Sequence, residues 1–389
     1  MQKKPSILFH YSVLNIGGAE KSVLRLTKLL CDRGWDVTLV LTSGGGRLES
    51  QVDSRVAVIP LRPKEAGANF KRAAGWRKLL YLTDALRYGI YRLIGEIRAA
   101  ALSQKRFDMA AVSLQGLNAS FVCAKINAAK RLHWIRSDLS QSDPQRKAID
   151  NIDRHHHCTD HYICVSATAK RSFDAIFPHL QTKSLVIPNV IDAEQMRRST
   201  EGNVPQMESV FGLKVVTVCR LFDKAKGLFR MVRVHKRLHE EKIDFHWFVV
   251  GDGPDREKMQ QAINDAGLQE NMILLGSKEN PFPYYRAADI SATLSYYEGL
   301  CGAVNEAKVI GKPVLATEFS GIYDQIEHGV SGWIVQNNED AIYEGLKTLL
   351  REDALRQRLT NDLLPQEIID DDYKIDMLEA LMDKGKEKE

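Results

Sequence analysis

Lys214-Val215-Val216-Thr217-Val218-Cys219-Arg220-Leu221-Phe222-Asp223-Lys224-Ala225-Lys226-Gly227 opens on a run of apolar, mostly β-branched residues. It then turns through a charged loop and enters a helical pattern over about 227–241. A buried strand passing directly into a helix is the repeating unit of a parallel sheet. The alternation continues with strands at 245–250, 272–275, 290–294, 314–316 and 333–335 and a helix over 255–266. Upstream lies an earlier series, with strands at 7–11, 37–41, 109–112, 133–135, 162–165 and 184–187. Its first helix runs from 19 to 33, with Val23, Leu26 and Leu30 at helical spacing and Gly34 as the stop. Between the series stands a short polar stretch at 201–205 that contains Gly and Pro. Two such series predict an α/β chain of two doubly wound, Rossmann-like domains, 1–200 and 205–365. A helical tail over 366–389 is expected to pack back on the first.

Composition agrees. A length of 389 residues suits about two domains, and 44% hydrophobic with 27% charged residues is an ordinary globular profile. Disordered, collagen-like and disulfide-scaffold classes are excluded. No window approaches 18 consecutive apolar residues, and the apolar segment at 7–9 is too short for a signal peptide. Six cysteines scattered at 31, 123, 158, 164, 219 and 301 read as reduced cytosolic thiols. The net charge of +4 divides unevenly: residues 1–195 hold 29 basic and 17 acidic side chains, the remainder 25 and 33. The halves carry +12 and −8, as two domains in different surroundings would.

Four strand-to-helix turns carry candidate chemistry. Asn15-Ile16-Gly17-Gly18-Ala19-Glu20 lets backbone approach a ligand, and the helix start offers free N–H groups to an anion, although any such turn favours glycine. It is not the G-x-G-x-x-G dinucleotide pattern. In the second turn Arg220 and Lys226 flank a helix start, an arrangement suited to a pyrophosphate or else a solvated basic loop. Val250-Gly251-Asp252-Gly253-Pro254 resembles a nucleotide loop without the third glycine. In Tyr297-Glu298-Gly299-Leu300-Cys301-Gly302-Ala303-Val304-Asn305-Glu306, two carboxylates stand eight residues apart around a helix start. Carboxylates accept paired hydrogen bonds from vicinal hydroxyls of a sugar or ribose, and the amides of 299–302 suit phosphate oxygens. The alternative is exposed acids stabilised by the helix dipole.

Taken in order, these motifs resemble the retaining glycosyltransferases of family four, with the two-domain GT-B fold. The resemblance runs from about 7 to 335 and also draws on Cys164-Val165-Ser166 and Ile187-Pro188-Asn189-Val190-Ile191-Asp192. Ala307-Lys308, Gly311-Lys312-Pro313 and Asp324-Gln325-Ile326 point to the bacterial surface-polysaccharide branch. The resemblance implies a nucleotide-sugar donor, a UDP- or GDP-sugar, held in a cleft between the domains. Arg220 and Lys226 would hold the pyrophosphate, Glu298 the transferred sugar and Glu306 the ribose. Gly17 and Gly18 would approach from the N-terminal domain, Gly251, Gly299, Leu300, Cys301 and Gly302 would line the donor, and Asn280 in Glu279-Asn280-Pro281 the base. The acceptor would be a lipid-linked glycan or oligosaccharide, and the enzyme would be cytoplasmic and peripheral on the membrane. A nucleotide-sugar epimerase or a non-catalytic nucleotide-sugar-binding homologue shares the same architecture.

One position departs from the family. The branch often reads Trp-Ile-His-x-Asp, whereas this chain reads Trp134-Ile135-Arg136-Ser137-Asp138. A guanidinium can donate to a sugar hydroxyl or phosphate but cannot serve as a base at neutral pH. Retaining transfer in which the departing phosphate takes the acceptor proton tolerates Arg136. Otherwise His133 or Asp138 takes the role, or activity is reduced.

Other clusters read differently. His155-His156-His157-Cys158 cannot turn three adjacent imidazoles to one ion, and no C-x-x-C accompanies them. Asp370-Asp371-Asp372 reads as a solvated acidic run away from any strand end, so no essential metal or cofactor is expected. Residues 62–106 carry 11 basic and 3 acidic side chains, interleaved with Phe70, Trp76, Tyr81, Tyr88 and Tyr91. A basic amphipathic helix with interfacial aromatics suits an anionic membrane, or its apolar face is core. No nucleic-acid motif accompanies it.

Overall fold

The computed structural model describes residues 4–63, 75–140, 144–360 and 364–383, with the side chains of 76–78, 144, 145 and 383 outside the description. The chain divides into two compact units. The first comprises Met1–Val165, Ala169–Val190 and Asp372–Glu389, and the second Ser166–Thr168 and Ile191–Asp371.

The first unit is built on a seven-stranded parallel sheet of order β3-β2-β1-β4-β5-β6-β7. Its strands are β1 (Ser6–Tyr11), β2 (Asp36–Leu41), β3 (Ala57–Pro60), β4 (Arg106–Val112), β5 (Asn127–Ile135), β6 (His161–Cys164) and β7 (Ser184–Val186). The second unit has a six-stranded parallel sheet of order β10-β9-β8-β11-β12-β13. Those strands are β8 (Leu213–Val218), β9 (Phe245–Val250), β10 (Met272–Gly276), β11 (Ile290–Thr293), β12 (Val314–Thr317) and β13 (Trp333–Val335). Both sheets are doubly wound Rossmann-like sheets of the GT-B type.

Their strands read as continuous apolar runs because both faces are buried. In β8 and β9, Val215, Trp247 and Val249 enter one core cluster while Val216, Phe248 and Val250 enter the other. Side chains alternate faces along a strand, so a single hydrophobic run supplies two cores. The expected strands all occur; β3 is the one that sequence patterning does not reveal.

The structure moves the domain division from the polar stretch at 201–205 to Val190/Ile191. Val204 and Met207, inside and just after that stretch, are buried in the second unit's core and anchor it there. The tail divides as well: the short helix Gln366–Ile369 stays with the second unit, where Ile368 is buried. The helix Asp371–Asp383 packs on the first unit, where Arg33 pairs with Asp372 and Asp376 and Trp35 donates to Glu379. The acidic run is therefore not simply solvated. Asp371 accepts the backbone N–H groups of Ile191 and Asp192, and Asp372 holds Arg33.

One further expectation is corrected. Cys123 and Cys158 form a disulfide, so only Cys31, Cys164, Cys219 and Cys301 are free. The helix Ser120–Lys125 and the turn His156–Cys158 bring their Cα atoms to 5.8 Å across 35 residues, a proximity that spacing alone does not show. Among the aromatics of 62–106, Phe70 lies outside the described residues and the Trp76 side chain is not described. Tyr81 is exposed, whereas Tyr88 and Tyr91 are half-buried, with the Tyr88 hydroxyl accepting from Arg62.

Candidate functional site

In the second unit strand order reverses between β8 and β11, and ligands of open α/β sheets bind at the carboxyl ends of strands at such a point. The loop after β8 carries Arg220 and Lys226; the loop after β11 carries Ser295 and Glu298. The topology thus makes neighbours of side chains about seventy residues apart. The Lys226 ammonium pairs with the Glu298 carboxylate, whose same oxygen accepts the Ser295 hydroxyl at 2.7 Å. Both partners are largely shielded from solvent. Burial lowers the lysine pKa, but the neighbouring groups together, Glu298 foremost, hold Lys226 above the ordinary lysine value. Arg220 is exposed, its guanidinium 6.0 Å from the Phe222 ring, and no described carboxylate pairs with it. The loop thus carries one guanidinium without a described carboxylate and one ammonium paired with Glu298, residue types that suit an anion.

Sequence reading missed the groups that hold these loops. Arg230, fully buried, donates to the Leu294 carbonyl through Nε at 3.0 Å and to Asn337 Oδ1 at 2.6 Å, with its guanidinium 3.9 Å from the Tyr296 ring. Thr317 donates to the Ser295 carbonyl at 2.7 Å and Asn337 to that of Tyr296 at 3.0 Å. Residues 294–296 are therefore fixed from three other segments, which fixes Glu298 in turn. Gly227 completes the fit: a Cβ there would lie 2.6 Å from the Leu294 carbonyl oxygen, at a φ of 63°.

Gln325 organises the adjoining turn. Fully buried, it accepts the Cys301 N–H at 2.9 Å and donates to the Cys301 carbonyl at 2.8 Å and to Asn305 at 2.6 Å. This sets the start of the helix Gly302–Val309 and the turn formed by Gly299, Leu300 and Cys301. Burial pushes the Cys301 thiol up to about 12, which keeps it protonated at neutral pH. Glu306 is almost fully buried, with the Tyr285 hydroxyl 3.4 Å from its Oε2. Gly251 is used structurally, since a Cβ there would lie 1.8 Å from the Cys219 carbonyl oxygen. Asn280 donates to the Ser199 carbonyl and accepts the Phe282 N–H, which fixes its side chain beside that loop.

In the first unit the order reverses between β1 and β4. Gly17 caps the helix Gly18–Asp32 without a side-chain bond, and the Glu20 carboxylate folds over it, 2.3 Å from where a Cβ would stand. Arg136, just past β5, donates through Nε to the Ser113 carbonyl at 2.7 Å and through Nη1 to Asn189 at 2.8 Å. It has no described carboxylate partner within ion-pair distance, and burial lowers its pKa to about 10. Asp138 accepts the N–H and hydroxyl of Ser140 in a local turn. His133 is buried with its pKa depressed to about 4 by desolvation, so it is neutral at pH 7. His155 and His156 bond carbonyls of their own helix, and among the described residues no three His, Cys, Asp or Glu side chains gather to hold a metal.

Comparisons with known proteins follow the same division. The family described as Glycosyltransferase Family 4 matches residues 16–195, and that described as Glycosyl transferases group 1 matches 211–362. An uncharacterized glycosyltransferase of Methanocaldococcus jannaschii is 30% identical over 152 residues, 38% of this chain and 37% of that protein. The N-acetylgalactosamine-N,N'-diacetylbacillosaminyl-diphospho-undecaprenol 4-alpha-N-acetylgalactosaminyltransferase of Campylobacter jejuni is 27% identical over 181 residues, 46% of this chain and 47% of that protein. The chain thus matches less than half the length of these curated relatives. Among solved structures, Anabaena Alr3699/HepE in complex with UDP-glucose superposes with a TM-score of 0.73 at 16% identity, over 96% of this chain and 99% of that one. That likeness is one of fold. With both halves matched in order and both sheets of the expected type, the chain belongs to the family-four glycosyltransferases.

Proposed function

We propose that the protein is a retaining hexosyltransferase that moves a sugar from a UDP- or GDP-sugar to a growing, lipid-linked surface polysaccharide such as capsule, O-antigen or exopolysaccharide. The Lys226–Glu298 pair beside the unpaired Arg220, at the β8/β11 switch point, carries this reading. Arg220 and Lys226 take the diphosphate with the amides of 299–302, Glu306 the ribose and Glu298 the transferred sugar. Asn280 and Gly251 border the donor, and Gly17 and Gly18 serve it from the N-terminal unit. The bond between the anomeric carbon and the phosphate oxygen breaks. The acceptor oxygen bonds to that carbon on the same face, and its proton passes to the departing phosphate. Two side-chain cations meet the phosphate charge, so the reading needs no cofactor or metal. Arg136, anchored by Ser113 and Asn189, donates to the donor and takes no proton; Asp138 shapes its loop.

The UDP and UDP-glucose complexes of the Anabaena protein support a UDP-sugar, and the diphospho-undecaprenol in the Campylobacter enzyme's name supports a lipid-linked acceptor. The excess of basic residues over 62–106 favours an anionic leaflet, and this supports the reading of an enzyme on the cytoplasmic face of the membrane. The test is a thermal-shift screen of nucleotide sugars followed by diphosphate release with lipid-linked oligosaccharide. Release with a new glycosidic product supports the reading. An isomerised donor without product would mean an epimerase, and donor binding without turnover a non-catalytic homologue.

A further inference from the structure

The helix Leu82–Ser103 has two apolar faces. Gly95, Ala99 and Leu102 are buried and fasten it to the first unit, Gly95 so tightly that a Cβ would come 2.9 Å from the Leu61 carbonyl oxygen. At 100° per residue the side roughly opposite is formed by Leu82, Leu86, Ile90, Leu93 and Ile97. These five are between 51% and 68% exposed, and Leu79 and Leu80 extend the row at 67% and 66%. A ridge of this length contributes nothing to the unit's own core, and so large an exposed aliphatic strip calls for an occupant. Its borders are basic: Arg87 and Arg98 lie along one edge and Arg92 along the other, while Glu96 on that second edge is neutralised by Lys125 at 3.2 Å.

We propose that this ridge inserts into a lipid bilayer. The helix lies in the interfacial plane with Leu86, Ile90, Leu93 and Ile97 at the acyl boundary and Arg87, Arg92 and Arg98 at the level of the phosphates. The inference rests on the membrane contact proposed above and changes its nature from adhesion of a basic patch to insertion of an aliphatic wedge. No described helix is long and apolar enough to cross a membrane, so the ridge lies on the bilayer. A second copy of the chain fits less well: antiparallel pairing of two such helices sets the Arg87/Arg98 edge against itself.

The experiment is flotation of the full chain with phosphatidylcholine vesicles, with and without one-quarter phosphatidylglycerol, at 0.1 and 1 M NaCl. Insertion predicts that binding to the anionic vesicles largely survives 1 M salt. Leu86→Ser with Leu93→Ser should weaken partitioning by roughly tenfold per side chain while leaving the thermal midpoint unchanged, because neither residue packs in the core. Binding abolished by salt and indifferent to the ridge variant would overturn insertion. So would a dimer, seen by light scattering, that the variant dissociates while wild type ignores vesicles. Vesicle binding that persists in a protein with no transferase activity would instead count against the proposed function and leave the insertion standing.

Discussion

The Lys226 ammonium and the Glu298 carboxylate, 72 residues apart in sequence, form an ion pair where the second sheet reverses direction. The pair is preorganised: Ser295 donates to the same carboxylate oxygen, and Arg230, Asn337 and Thr317 fix the backbone from which Ser295 and Glu298 extend. In the proposed reaction the ammonium is shared between this carboxylate and the donor phosphate. Replacing Lys226 by Met should lower transfer by about 10²–10³-fold, the scale of losing one preorganised electrostatic donor. Glu298→Gln should lower it similarly, and the double variant should lose much less than the two factors multiplied, read from kcat/KM in a double-mutant cycle.

Arg220 has no described carboxylate to satisfy, so its removal should cost binding and little stability. Arg220→Ala should weaken free nucleoside diphosphate by about 1.5–3 kcal/mol, roughly ten- to a hundredfold, by calorimetry. The thermal midpoint should stay within a degree or two.

Gln325 should behave in the opposite way. Gln325→Leu leaves the buried N–H of Cys301 unpaired, at about 1–3 kcal/mol, and takes one of two donors from its carbonyl, which keeps the Asn305 N–H. Denaturant unfolding should show the loss, and the donor KM should rise because the turn at 299–302 is no longer held.

Acid should destabilise the fold through three buried histidines. Burial lowers the pKa of His10 and His133 to about 4 and that of His235 to about 3, from 6.5. A depressed pKa means that the unfolded chain takes up the proton first. Stability is therefore full above about pH 6.5 and falls as pH drops toward 4, by up to about 1.4 kcal/mol per pH unit for each group. His133→Phe should flatten the slope of stability between pH 6.5 and 4.5 relative to wild type.

The Cys123–Cys158 bridge predicts four titratable thiols, not six, in protein denatured without reductant. Cys123→Ser with Cys158→Ser should lower stability by about 2–4 kcal/mol, as expected for opening a loop of this size.

The sequence made the parallel α/β architecture legible because strands buried on both faces read as unbroken apolar runs, as in β8 and β9. It did not reveal β3, whose four residues Ala57–Pro60 are only partly buried and end in proline. The domain break was misplaced because 201–205 is polar by composition, whereas Val204 is decided by packing. The positions of Arg220, Lys226 and Glu298 just beyond strand ends were legible in the sequence. The hydrogen bonding of Arg230 and Asn337 was not, since it spans up to 107 residues and leaves no local pattern, and Gln325 stood out only as part of a motif, not for its bonds to Cys301 and Asn305. Residues 62–106 read as a basic amphipathic segment, but only the structure separates the exposed aliphatic face of Leu82–Ser103 from its buried one.

The decisive comparison is glycosidic product formed from a UDP- or GDP-sugar and lipid-linked oligosaccharide by wild type and by folded Glu298→Gln, with the anomeric configuration read by NMR. Wild type should give a product that keeps the donor's anomeric configuration, and the variant about a hundredth of it or less. An inverted product, or undiminished transfer by Glu298→Gln, would contradict the account.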